Sequence, residues 1–518
     1  MAAPRISPPP SSVEPTPEAA PPAPGSKSSF FAYPKQDLVA GTVVFLVALP
    51  LCLGIAVACG VPPVSGLIAG IAGGLVVPLL SRSPLSVTGP AAGLTSIVLM
   101  EVERLGGLKP FIAAVVVAGV IQIALGLVKA GRFAALVPSS AIKGMLAAIG
   151  ITIVLKQIPV AVGATGDLKD IPAQFSTGPA VMAALSVAIL LIWPKTPLKK
   201  ITFLPAALVV VVLCTVMGIA LEGVPAFALA AHHKVVVPTG GPSGLWEALL
   251  HPEPSNFLQS GVWVAGATIA IVASIETLLS LQAVDRLDPL RRSSPPDREL
   301  VAQGLANTAS GLLGGLPVTA VIVRSGANVA AGGRERLSAL FHGLLLLGAV
   351  IAAAGLLNHI PLACLAAVLI VVGFNLAKPS LFISQAKLGR DQFIPFVFTI
   401  VAVLALDLLR GVVLGVIVAL IFALYQNANG TIQQLKDPDG TMRFRFRRDA
   451  TFLTKPQLLR MLEAVPAGST VVVQADGEYV DHDAKEALAT FHQDAPRRNI
   501  TMRIEGIDMS NAAAGGGH

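Results

Sequence analysis

The sequence predicts a polytopic α-helical membrane protein of fourteen spans in two sets of seven, followed by a small α/β domain. Three observations carry this. The 518 residues are 54% hydrophobic and only 13% charged, against about 25% charged for a soluble chain, so there is too little polar side chain to coat a surface facing water. A bilayer removes that demand, because a helix satisfies its own backbone hydrogen bonds in lipid. Apolar stretches of roughly spanning length (about 17–25 residues) recur from Gly41 to Tyr425 and then stop. Two of them, at corresponding places in the two halves, are broken by Pro, Gly and Thr.

The first set comprises Gly41–Cys59, Ser65–Leu80, Leu85–Met100, Phe111–Val128, Ala141–Ile158, Ala180–Trp193 and Ile201–Leu221. The second comprises Trp263–Leu281, Leu300–Leu316, Thr319–Ala330, Leu337–Leu357, Leu362–Phe374, Phe393–Leu408 and Val412–Tyr425. A more polar loop, Glu222–Ser260, separates them. The 49 glycines suit close packing of transmembrane helices. An even number of spans puts both termini on one side. Connections on that side hold Lys129, Arg132, Lys195, Lys199, Lys200, Arg286, Arg291, Arg292, Arg298, Arg334, Arg336, Lys387 and Arg390, whereas the opposite ones hold only Arg104, Lys109, Lys169, Lys234 and Arg410. The excess of basic residues marks the cytoplasmic side, so both termini are expected in the cytoplasm and the protein in the cell (inner, plasma) membrane. The net charge of +7 is thereby explained with no nucleic-acid partner.

Residues 1–33 are rich in Pro, Ala and Ser and are expected to be a disordered tail, as are residues 509–518. The leading stretch lacks an apolar h-region, so no cleavable signal peptide is expected and the first helix would act as the targeting signal. Aromatics make up 5%, which argues against a stacking platform for sugars or nucleobases. Cys52, Cys59, Cys214 and Cys364 all lie in apolar runs and read as small buried hydrophobes. The chain has no nucleophile elbow, zinc motif, phosphate-cradling loop or catalytic carboxylate pair, so neither an enzyme nor a resident cofactor or metal is expected.

The broken segments are PLSVTGPAAGLT (Pro84–Thr95) and GGLPVTAVIVRSGAN (Gly314–Asn328), each the third of its set. Interrupted segments at corresponding positions point to a transporter binding site. A helix that begins within the membrane presents free N–H groups and a positive dipole end; two such ends facing each other make an anion site. Arg324 lies in the apolar run AVIVRSGANV, where a charge must face protein or water. It reads either as an anion ligand or as a structural partner of Glu276. Glu276, in IAIVASIETLLSLQAVDR, is the other intramembrane charge and can carry a coupling proton or bind a cation, with Ser280 one turn on along the same face. Asp285, and Asp407 near Arg410, read as interfacial.

Three stretches resemble the SulP family of inorganic anion transporters, which includes solute carrier family 26: VALPLCLGIAVACG, SPLSVTGPAAGLT, and DRELVAQGLANTASGLLGGLPVT leading into VRSGANVAAGGRERLSALFHG. The resemblance runs from Phe31 to Ile507. It implies an inverted seven-plus-seven repeat (residues 37–221 and 262–427 within a transport domain 34–428), core and gate domains, elevator-like movement and a homodimer. It also implies a substrate held between the third and tenth helices beside the first. By position, the substrate residues would be Pro50, Leu51, Thr88, Gly89, Pro90, Ala91, Ala92, Gly93, Thr319, Ala320 and Arg324, with Glu276 at the family's eighth-helix carboxylate and Ser280 beside it. Sodium-coupled members carry Asp at that carboxylate and a hydroxyl residue two before the arginine; this chain has Glu276 and Ile322, which shifts weight from a sodium site towards a proton or no coupling ion.

Beyond Tyr425 the expected elements are a strand at Met442–Arg447, a helix at Thr454–Val465 with Thr454 as N-cap, a strand at Thr470–Ala475, a helix at Asp483–Gln493 capped by Asp481 or Asp483, and a strand at Ile500–Ile507. Alternating strands and helices make an α/β layer, and the resemblance makes residues 440–508 a shortened STAS domain, dimerising or regulatory. Asp481, His482 and Asp483 serve the helix start rather than a metal. The expected activity is secondary active transport of a small inorganic anion, with bicarbonate or sulfate favoured by the small neutral lining. A channel or exchanger of the same fold, a dicarboxylate carrier and a membrane sensor are the alternatives.

Overall fold

The computed structural model describes residues 30–132, 138–164, 166, 168–197, 204–225, 227, 229–406, 408–429, 431–477 and 479–509. Most of both expected tails, Asp407 and the start of the span expected at Ile201 lie outside these residues. Each of the fourteen expected spans has a counterpart. The first set is α1 (Pro34–Ala58), α2 (Pro63–Leu80), strand β1 (Thr88–Pro90) leading into α3 (Thr95–Arg104), α4 (Leu108–Leu127), α5 (Ser139–Ala161), α6 (Thr177–Ile192) and α7 (Ala206–Ala220). The second is α8 (Ser260–Leu287), α9 (Pro296–Leu312), strand β2 (Val318–Ala320) leading into α10 (Ile322–Ala330), α11 (Leu337–Ala352), α12 (Leu362–Leu376), α13 (Arg390–Ala405) and α14 (Leu408–Asn429). Seven helices among the described residues are long and apolar enough to cross a membrane unaided. The others have shorter apolar stretches, such as Arg410–Gln426 within α14, or, like α3 and α10, start part-way along their segment.

The described residues of Met1–Ala134 and Leu155–Val371 form one compact unit, and those of Ala135–Val154 and Val372–His518 a second. In the first unit α4 packs on α8 and α9, while α2 packs on α1, α9 and α11. Missing side chains set how closely these helices approach. A Cβ on Gly304 would lie 2.6 Å from the Gly119 carbonyl oxygen, and one on Gly74 would lie 2.7 Å from the Gly343 Cα. Small residues at such crossings let dispersion contacts act along the whole interface, the main source of helix association in lipid.

Between α2 and α3, and again between α9 and α10, the chain leaves the helical state and the two extended stretches meet. β1 and β2 pair antiparallel, with Thr88 opposite Ala320, Gly89 opposite Thr319 and Pro90 opposite Val318. Backbone outside a helix cannot stay unpaired at membrane depth, and side chains complete what this short ladder leaves open. Asn307 of α9 accepts from Val318 N (2.7 Å) and donates to Val318 O (3.0 Å). Its amide also donates to Gln122 Oε1 of α4 (2.6 Å). Ser325 Oγ accepts from Val87 N (2.9 Å), Thr277 Oγ1 accepts from Ala320 N (3.3 Å), and Asn328 donates to Leu85 O (3.1 Å). Gln303 donates to Thr88 Oγ1 (2.7 Å) and to Glu299 Oε1 (2.9 Å), and Glu299 in turn accepts from Ser81.

In the second unit α13 packs on α14, and α14 also packs on the 3-10 turn Phe452–Thr454. The compact units therefore do not divide at the expected boundary between residues 428 and 440. The sheet beyond α14 has the order β3 (Ile432–Lys436), β4 (Met442–Phe446), β5 (Thr470–Gln474), β6 (Thr501–Glu505). β3–β4 is antiparallel, and the other two pairs are parallel. α15 (Lys455–Glu463) and α16 (His482–Asp494) make the crossovers and share a core with the sheet through Phe444, Phe446, Leu458, Leu462, Val471 and Leu488.

Two expectations for this region need correction. β3 lies ahead of residue 440, where the domain was expected to begin. Its sequence IQQLK shows no clear alternation because on this edge strand only Ile432 is buried. Thr454 does not cap α15 with its side chain: its backbone is already helical, ending the preceding turn, and its hydroxyl has no partner. Asp481 does cap α16, accepting from Ala484 N at 3.0 Å, while Asp483 pairs with Lys455 at 3.3 Å.

Asn307→Ala is expected to strip both side-chain bonds from Val318 and leave its buried N–H unpaired, at a cost of about 1–3 kcal/mol. Thermal unfolding in detergent, read on the membrane region, would show the lowered midpoint.

Candidate anion site

The residues expected to line the site converge on the strand pair. Both half-helices start immediately after it, α10 after one intervening residue and α3 after the 3-10 turn Ala92–Leu94. Because β1 and β2 are antiparallel, the half-helices leave the crossing in opposite directions with both N-termini next to it. The first turn of a helix has N–H groups without intrahelical partners and carries partial positive charge, so the crossing is a place where two such ends add.

Arg324, on the first turn of α10, is wholly buried. Its Nη2 donates to Pro90 O at 3.3 Å, while Nε and Nη1 have no hydrogen-bond partner. The guanidinium occupies the space that a side chain at Gly89 would fill, since a Cβ built there would collide with Nη1. Thr319, opposite Gly89, is buried with its hydroxyl unpartnered.

Glu276 lies on α8, half-buried, with Oε2 buried and unpartnered. A Cβ on Gly93 would lie 2.6 Å from its Oε1 and 2.7 Å from Oε2. The carboxylate therefore fits against the turn that opens α3, and among the described residues no ion pair joins it to Arg324. The structural-partner reading of these two charges is not what the structure contains: each sits in its own glycine niche, one at Gly89 in the strand and the other at Gly93 in the 3-10 turn that follows it.

Thr88, Gly89, Pro90, Ala91 and Gly93 are buried, and Ala92 is half-buried at the same turn. Ala320 closes the ladder from the other side. Pro50 and Leu51 are buried in α1, which packs against α10, β1 and α3. Pro50 has no N–H to donate, which frees one carbonyl of the preceding turn. The Ser280 hydroxyl has no hydrogen-bond partner among the described residues, and Ile322 is exposed at 42%. Asp285 accepts from Ser294 through its backbone N (2.9 Å) and hydroxyl (2.6 Å), away from the crossing.

Sequence reasoning missed the side chains that hold the crossing together. Their signal was present: Glu299, Gln303, Asn307 and Ser310 recur every three or four residues along α9, a polar stripe down an apolar segment. Also missed was buried Asp37 at the start of α1, which accepts from the backbone N–H groups of Arg334 and Glu335 (2.8 and 3.0 Å). Arg292 supports the same turn, pairing with Asp288 and Glu335, both at 2.7 Å.

Residues 35–401 match the Sulfate permease family. The chain belongs to that family. YvdB of Bacillus subtilis (strain 168), named as a candidate sulfate transporter, is 28% identical over 500 residues, covering 91% of each chain. The bicarbonate transporter BicA of Picosynechococcus sp. (strain ATCC 27264 / PCC 7002 / PR-6) is 27% identical over 430 residues, 79% of this chain and 74% of that one. The solved transmembrane domain of a cyanobacterium bicarbonate transporter BicA superposes with a TM-score of 0.63 at 26% identity, covering 76% of this chain and 98% of that one. Murine solute carrier 26 family member A9, an anion transporter solved in the inward-facing state, gives 0.71 over 94% of this chain and 88% of that one at 17% identity, a likeness of fold. This sulfate permease family member is thus a multi-pass membrane protein whose named relatives are transporters of inorganic anions, not enzymes.

Gly89→Ala is expected to drive the guanidinium out of its niche and weaken anion binding by about tenfold or more, the scale of one charge-assisted hydrogen bond. Isothermal titration of the purified protein with sulfate and with bicarbonate would read it.

Proposed function

We propose that this protein is a secondary active transporter that carries a small inorganic anion, bicarbonate or sulfate, through alternating access of an elevator type. The observation that carries the reading is Arg324: a wholly buried cation with two N–H-bearing nitrogens unpartnered, beside the starts of two half-helices. A buried polar group is ordinarily paired, and an oxyanion at the crossing supplies the missing acceptors. The names of the bicarbonate- and sulfate-transporting relatives support both candidate substrates. Small neutral neighbours at the crossing (Gly89, Ala91, Thr319, Ala320) favour a compact anion.

Glu276 supplies a physical route to coupling. An ionised carboxylate against the turn that opens α3 competes with a substrate anion for the positive end of that helix, and a neutral one does not. Proton binding at Glu276 and anion binding at the crossing then favour each other, which is the requirement of proton symport. A sodium ion that neutralises the same carboxylate would act with the same sign. We assign the two seven-segment sets to inverted repeats, the two termini to the cytoplasm, the C-terminal sheet and helices to a shortened STAS domain, and the working form to a homodimer. A channel or exchanger of the same fold, or a dicarboxylate carrier, is the competing reading.

Proteoliposomes loaded under an imposed proton or sodium gradient should accumulate radiolabelled sulfate or bicarbonate with saturation. Absence of accumulation and exchange for every anion and gradient would sink the proposal, and currents that do not saturate would favour the channel. In the same assay Arg324→Ala is expected to lose at least tenfold in apparent affinity while keeping its elution profile on gel filtration. Glu276→Gln is expected to make uptake insensitive to the driving gradient; retained gradient dependence would place coupling elsewhere.

A further inference from the structure

The last turn of α2 exposes apolar surface and then runs into a group of arginines. Leu79 is 59% and Leu80 37% exposed, and on a membrane-spanning helix such side chains meet acyl chains. At Ser81 the backbone turns extended, and Arg82 follows at the surface. Two more guanidiniums are fastened to the same place. Arg298, in the first turn of α9, donates from Nε to Leu80 O at 2.7 Å. Arg336, immediately before α11, donates from Nη1 to the next carbonyl, Ser81 O, at 2.7 Å. The Phe30 ring covers one face of Arg336, with Cζ 5.2 Å from the ring centroid.

We propose that Arg82, Arg298 and Arg336 bind the phosphate of an anionic phospholipid whose acyl chains lie on Leu79 and Leu80. The proposal stands apart from the reading of the crossing as an anion site. Part of the arrangement has a local cause, because the last carbonyls of α2 carry partial negative charge and two arginines cap them. That cause uses one nitrogen of Arg298 and one of Arg336. It does not reach Arg82, which makes no hydrogen bond or ion pair among the described residues. Arg298 and Arg336 also stand at the starts of α9 and α11, where the helix dipole disfavours a cation. Three like charges gathered at one helix end repel each other, and the neighbouring carboxylates are directed elsewhere. Glu299 accepts from Ser81 and Gln303, Asp297 accepts from Gly131 N at 2.9 Å, and Glu335 pairs with Arg292 at 2.7 Å. A phosphodiester supplies the missing anion, since its oxygens match the donor fork of a guanidinium. The bilayer places such groups where a spanning helix leaves the acyl region, which is where α2 ends. The exposed leucines one turn deeper favour a lipid over a soluble phosphate. A net negative headgroup is preferred to phosphatidylcholine, whose ammonium would meet the same three cations.

The test is native mass spectrometry of the full-length protein in detergent, titrated with phosphatidylglycerol or with phosphatidylcholine. The parent protein is expected to retain phosphatidylglycerol in preference to phosphatidylcholine. Arg82→Gln, which removes no bond of the fold, is expected to weaken that retention about fivefold, the scale of one arginine at an anionic surface. Adding Arg298→Gln and Arg336→Gln is expected to abolish the preference; the single variant decides the matter if the triple one does not fold. Lys387→Gln makes the same charge change elsewhere on the basic side and is expected to leave retention unchanged. An equal loss in Lys387→Gln would reduce the effect to overall charge and overturn the site. A parent without the preference, or an Arg82→Gln protein that retains lipid as the parent does, would overturn it too. Inorganic phosphate in large excess is expected not to displace the lipid. Displacement would make this a soluble-anion site and sink the lipid assignment.

Discussion

Two stretches of chain abandon the helix inside a region where unpaired backbone is not tolerated, and the architecture around them answers that constraint. The strand pair supplies part of the pairing, and Asn307, Thr277, Ser325 and Asn328 supply the rest from neighbouring helices. Breaking the helices there creates two new N-termini at one depth, which no continuous span provides. The polar stripe of α9 and the contact of Asn307 with Gln122 are therefore not incidental polarity in an apolar bundle. They are what allows an extended crossing to exist, and the positive helix ends follow from it.

Placing charge at such a crossing needs space as much as partners. Arg324 and Glu276 each occupy a volume left by an absent side chain, at Gly89 and Gly93, on the same short segment. Their separation matters chemically. A direct ion pair would cancel the field of both, whereas two separate niches leave each helix end with its own charged neighbour, one attractive to an anion and one competing with it. The glycines of α2 extend the same device by admitting Cys52, Thr88 and His342 to the neighbourhood of the crossing.

The elements that were legible in the sequence are those governed by composition and period. Long apolar runs specified α2, α4 and α5 to within a few residues and the apolar middle of α1 and α8, whose ends extend further, and the strand–helix alternation of the C-terminal region specified β4, β5, β6 and α16. The edge strand β3 was not legible, because only Ile432 points into a core. The turn before α15 hid the loss of the Thr454 cap, because capping depends on a backbone angle that residue type does not set. At the site, the broken segments could be read because Pro, Gly and Thr interrupt hydropathy. Which backbone atoms they leave open, and which side chains close them, could not.

The amino-acid sequence alone thus determined a membrane protein with two interrupted third segments and with Arg324 and Glu276 in apolar surroundings, since hydrophobic length and the cost of a buried ion are properties of local composition. The family resemblance added the pairing of those segments across the two halves. Only the tertiary structure decided that Arg324 and Glu276 form no ion pair and that Gly89 and Gly93 make room for them. Those outcomes depend on which helices approach closely enough to exclude a Cβ, a matter of packing among segments hundreds of residues apart that no local pattern encodes.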